Sequence, residues 1–107
     1  MADAEGACTG LACALGEIPD GERAAHVALI RRLFGEAVRE RLELAEGYAF
    51  RFAGEEFASV ARFVANERKC CPFLTFQLEA APESGPLWLR INGPPGAKEL
   101  IAAELRT

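Results

Sequence analysis

The sequence predicts an α+β domain: an antiparallel four-stranded sheet with helices packed on it, in the order α-ββα-ββα. Two observations carry this. Apolar residues recur at spacings of three and four in segments near the start, middle and end of the chain. Between those segments, period-two alternation appears in two pairs of short runs, each pair split by turn-forming residues. Paired runs favour hairpins, and hairpins favour an antiparallel sheet with its helices on one face.

Residues 1–12 are small, polar and rich in Gly and Ala, and read as a flexible lead-in to a single domain over 13–107. Pro19, Asp20 and Gly21 break the chain, and Asp20 is placed to cap a helix starting near Gly21. Val27, Ile30, Leu33 and Phe34 form the apolar stripe of that helix, and Gly35 is its expected end. In "VRERLEL", Val38, Leu42 and Leu44 are expected to face one way; in "YAFRF", Tyr48, Phe50 and Phe52 alternate with Ala49 and Arg51. Glu46-Gly47 between them is a hairpin signal. Gly54 opens a second helix, with Phe57, Val60, Ala61 and Val64 as its expected buried stripe. It runs to about Lys69 and is stopped by Pro72. "FLTFQLEA" and "PLWLRIN" follow as strands about the turn "APESG", and "NGPPG" leads into the last helix, "AKELIAAEL". After the first helix, strand-strand-helix thus occurs twice, a duplication of architecture without a repeat in the letters.

The 107 residues suit one domain with one modest core. Twelve basic and 16 acidic residues give a net charge of −4, which argues against a nucleic-acid surface. No apolar run approaches the roughly 18 residues of a membrane span. The first ten residues, "MADAEGACTG", lack the features of a secretory signal. A cytoplasmic location is the expectation, and thiols there stay reduced.

The chain has four cysteines, Cys8, Cys13, Cys70 and Cys71. Cys70 and Cys71 stand where the second helix gives way to the third strand. The negative end of a helix dipole disfavours a thiolate there; Arg68, Lys69 and above all a bound cation oppose that effect. Adjacent cysteines make poor disulfides, because ring closure is strained and disulfide geometry is narrow. Two neighbouring thiolates suit a soft ion, Hg(II), Cu(I), Zn(II) or trivalent arsenic, and need a third ligand. Cys13 is the expected third, with Cys8 as a fourth ligand or a mobile delivering thiol. The plain alternative is that these cysteines are core residues with no ligand. Cys70 is expected to be the more accessible of the adjacent pair, facing a shallow pocket.

"ERKCCPFLTFQLE", followed by "GPLWLRINGPPGAKELI" and preceded by Cys13, Glu17 and Arg23, resembles a group of small bacterial proteins. That group in turn resembles sequences found near MerR-type heavy-metal regulators. The resemblance spans roughly residues 11 to 105 and implies metal or metalloid handling, with Cys13, Cys70 and Cys71 at the matching positions.

Two functional expectations result. The first is soft-metal or metalloid binding by Cys13, Cys70 and Cys71, with no organic cofactor. The second is a thiol-dependent enzyme, an oxidoreductase or a lyase, with Cys70 as the reactive thiol and Glu67 as its proton partner. Glu67 otherwise reads as a solvated helix residue, and His26, the only histidine, as a partly packed one. "GPPG" is a rigid turn and not a phosphate loop, since its prolines remove donors. Phe73, Phe76 and Trp88 read as core, and apolar residues on both strand faces leave room for a homodimer.

Overall fold

The structure, a computed structural model, describes residues 20–105. The element order is α1 (Asp20–Arg32), β1 (Glu40–Glu43), β2 (Gly47–Phe52), α2 (Phe57–Cys70), β3 (Thr75–Ala80), β4 (Leu87–Asn92) and α3 (Ala97–Leu105). The strands form one antiparallel sheet in the order β1-β2-β4-β3, so the α+β architecture follows the expected α-ββα-ββα plan. Exchanging the two hairpins leaves that strand order unchanged. β4 and α3 also begin 40 residues after β2 and α2, at Leu87 against Gly47 and at Ala97 against Phe57. The duplication of architecture is thus visible in the sheet.

Alternation sorts the two central strands. Phe50 and Phe52 on β2, with Leu87, Leu89 and Ile91 on β4, all turn toward the helices and are fully or almost fully buried. They meet Leu33, Phe34, Val60, Phe63, Ile101 and Leu105 in one core. Phe34 is its hub, with ring centroids 4.9 Å from Phe50, 5.6 Å from Phe52 and 4.9 Å from Phe63. Gly47 permits the central pairing: a Cβ there would stand 1.8 Å from the Ile91 carbonyl oxygen. The second hairpin turns at Pro82–Gly85, where Glu83 and Ser84 both adopt positive φ (59° and 57°), the twist that suits a tight hairpin.

Several expectations need correction. The first helix does not end at Gly35. α1 passes into a single π turn, Leu33–Ala37, closed by the Val38 N–H donating to the Leu33 carbonyl at 2.8 Å. Leu42 pairs with Ala49 on the sheet face away from the core and is 44% exposed, so "VRERLEL" supplies no buried stripe. Phe57 is 49% exposed, and the buried face of α2 is Val60, Phe63, Asn66, Glu67 and Cys70 instead. These positions repeat at three and four like the stripe expected from Phe57, but lie further round the helix. Phe73 precedes β3 and packs against Cys70 and Cys71, whereas Phe76 packs against the main core. Among the described residues no helix is long and apolar enough to cross a membrane.

Candidate metal centre at the helix junction

α2 carries the centre of the site. On its last two turns Phe63, Glu67 and Cys70 follow one another at four and three residues, so all three point into the interior. Glu67 is 2% exposed and Cys70 not at all. Neither the solvated Glu67 nor the accessible Cys70 of the sequence reading survives, for the same reason: the helix turns its 60-63-67-70 face inward. The residues that do face water at this end are Arg68 and Lys69.

α1 lays His26 against this face. The imidazole is 1% exposed, stacks on Phe63 at 5.8 Å, and its Nε2 lies 2.7 Å from Glu67 Oε2. His26 is therefore a buried partner of Glu67 rather than a partly packed surface residue. α3 contributes Glu104, whose carboxyl is hydrogen-bonded with that of Glu67. The Cys70 thiol also stands beside Glu67, its sulfur within 4.8 Å of a carboxylate oxygen.

At the helix end the Cys71 N–H still bonds the Glu67 carbonyl at 2.7 Å, but its backbone has left helical geometry (φ −131°, ψ 68°), as Pro72 requires. The departure brings two side chains that would diverge on a regular helix to an Sγ–Sγ distance of 3.7 Å. Cys70 is a free thiol, whereas Cys71 is held in a disulfide, and 3.7 Å excludes Cys70 as its partner. Cys13 and Cys8, expected as third and fourth ligands, lie outside the described residues.

The electrostatics are uniform. Burial raises the Glu67 pKa to about 7, and burial together with the neighbouring Glu67 raises that of Glu104 to about 8. The two carboxyls titrate as a pair. Burial, then the charges of Glu67 and Glu104, push the Cys70 thiol up to about 12. Burial lowers His26. Every group is driven toward its uncharged form. In the neutral His26–Glu67 pair the carboxyl O–H donates to Nε2 and the ring hydrogen sits on Nδ1. Nδ1 is buried and has no hydrogen-bond partner. Beside it a cavity of about 150 Å³ opens between α1 and α2, lined by Glu22, Ala25, His26, Leu29, Arg62 and Asn66.

Two overlapping groups have the proximity of metal ligands. His26, Glu67 and Cys70 can each offer one donor atom with all three within 4.8 Å of one another; so can Glu67, Cys71 and Glu104. Of the sequence candidates, Cys70, Cys71 and Glu67 thus come together. Glu104 and the approach of His26 to Glu67 and Cys70 were missed. The signal for His26 was its place four residues before Ile30 and seven before Leu33, on the same stripe. Glu104 carries a weaker signal, three residues after the buried Ile101. A reactive thiol needs exposure and a lowered pKa, and Cys70 has neither.

Comparison with protein-family models, with curated proteins and with solved structures finds no match to this chain.

Proposed function

We propose that this protein binds a thiophilic or borderline metal ion in metal handling, with Cys70 as thiolate, Glu67 as carboxylate and His26 as imidazole ligand. The observation that carries the reading is the convergence of these three chemically different donors, from two helices, in one buried place. Without a cation the cluster gains little: Glu67, Cys70 and His26 are buried, Glu104 is partly buried, and desolvation opposes charge on each. A divalent cation reverses that preference. It stabilises the Glu67 carboxylate and the Cys70 thiolate, and it replaces the proton between Glu67 and His26.

The donor set also ranks the ions. One thiolate, one imidazole and one carboxylate suit Zn(II), with a fourth position left for water or another ligand. Hg(II), Cu(I) and trivalent arsenic prefer more sulfur, and would draw on Cys71 once its disulfide is reduced. The resemblance carried by "ERKCCPFLTFQLE" leads to the same class of function. The test is competition against a chromogenic zinc chelator. Cys70→Ser and Glu67→Gln should each weaken Zn(II) by on the order of 100-fold or more, exceeding the typical loss for an outer-shell partner. Lys69→Ala, on an exposed residue beside the site, should leave affinity unchanged. A wild-type protein that takes up none of Zn(II), Hg(II) or arsenite would overturn the reading.

A further inference from the structure

Glu67 belongs to both groups of converging donors, and a carboxylate has two oxygens to give. Oε2 faces His26 Nε2 at 2.7 Å, and the same carboxyl is hydrogen-bonded with Glu104. Each group also holds one of the adjacent cysteines, whose sulfurs are 3.7 Å apart. The two groups therefore share Glu67 and otherwise draw on different residues, His26 and Cys70 in one and Cys71 and Glu104 in the other.

Resting on the metal-binding reading above, we propose that the junction holds two adjoining cation positions bridged by the Glu67 carboxylate, and that the redox state of Cys71 decides whether the second is filled. The first position uses His26, Glu67 and the free thiol of Cys70. It is complete while Cys71 is in its disulfide. The second uses Glu67, Glu104 and Cys71, and lacks its thiolate until that disulfide is reduced.

Charge balance supports the pairing of redox state with occupancy. In the disulfide form, one divalent cation is neutralised by the Glu67 carboxylate and the Cys70 thiolate, and Glu104 keeps its proton. In the reduced form, two divalent cations are neutralised by Glu67, Glu104, Cys70 and Cys71. Either state leaves the buried cluster uncharged, as burial demands. The switching step needs a dithiol or phosphine reductant. It gives two electrons to the disulfide and is itself oxidised, and with two protons taken up the two cysteines become thiols. The Cys71 and Glu104 protons then both leave to solvent as the sulfur and the carboxylate bind the second cation.

Native mass spectrometry of the full chain with Zn(II) tests this, once with the disulfide intact and once after phosphine reduction and removal of the phosphine. The expected counts are one zinc per oxidised chain and two per reduced chain. Glu104→Gln and Cys71→Ser should each hold the reduced chain at one, with circular dichroism confirming that both fold. An unchanged count on reduction of the wild type overturns the two-position proposal while leaving the first site standing. A second zinc that survives both substitutions overturns it too, because that ion must sit elsewhere. No zinc in either state defeats both this proposal and the metal-binding reading beneath it.

Discussion

Replacing Glu67 by Gln should make the metal-free protein more stable at alkaline pH, and the size of the gain can be worked out. Gln keeps the shape of the side chain and its hydrogen-bonding capacity but cannot ionise. The Glu67 pKa rises from 4.5 to about 7 on folding, and each unit corresponds to about 1.4 kcal/mol. Because the folded pKa lies above the unfolded one, the folded state keeps a proton that the unfolded chain gives up. The favourable contribution is therefore complete below about pH 4.5 and is lost as the pH rises through about 7, to a total of about 3 kcal/mol. Glu104 is raised to about 8 and shares its titration with Glu67, so the window extends toward pH 8 without the two costs adding. His26 works in the opposite sense: its folded pKa is lowered, so its contribution is present above 6.5 and falls away as the pH drops. The informative quantity is thus the difference between variant and wild type. At about 4–8 °C per kcal/mol for a domain of this size, Glu67→Gln should raise the Tm at pH 8.5 by on the order of 10–20 °C, and by little at pH 4.5. The assay is a metal-free thermal melt in chelator across that range. Excess Zn(II) at pH 7.5 should stabilise the wild type and leave the variant where it was. A variant that melts lower than wild type by the same amount at every pH would refute the reasoning, since Glu67 would then be a structural hydrogen-bond partner and nothing more.

The Cys70 thiol, pushed from 9.0 up to about 12, holds about 1000-fold less thiolate at neutral pH than an ordinary cysteine. Iodoacetamide labelling followed by peptide mass mapping should find Cys70 slow in the native protein and fast in guanidinium; near-equal rates would contradict its burial. Phe63→Ala empties the space between the His26 and Phe34 rings and should cost about 3–5 kcal/mol in urea unfolding. Because His26 loses its stacking surface, Zn(II) affinity should fall too. A loss below about 1 kcal/mol would mean that the core closes over the gap.

The architecture was legible because its signals are local. "YAFRF" and "PLWLRIN" alternate cleanly, and "AKELIAAEL" gave the last helix over its full observed extent, Ala97–Leu105. Where the reading failed, the fault lay in phase rather than period. On α2 the stripe was anchored on Phe57, the largest apolar residue near the start of the helix, although the inward face runs through Glu67 and Cys70. A rule that places apolar residues inside and carboxylates outside rejects that face at Glu67, and so hides the site. His26 was hidden in the same way, by reading its neighbour Val27 into the stripe. For Glu104 the spacing after Ile101 hints at an inward face, but its meeting with Glu67 depends on how α3 lies against α2, which no spacing within either helix encodes.

The symmetric strand order has a consequence for when the site comes into being. Each hairpin, with the helix after it, closes over a short stretch of chain. The β2–β4 pairing that joins the halves spans 40 residues, from Gly47–Phe52 to Leu87–Asn92, and contacts that distant in sequence form late and slowly. His26, Glu67 and Cys70 all precede β4, the strand that completes that seam, whereas Glu104 lies beyond it on the last turn of α3. A chain still emerging from the ribosome thus carries His26, Glu67 and Cys70 before Glu104 exists. The Glu67–Glu104 pair is assembled only when α3 docks, so its formation marks the joining of the two halves.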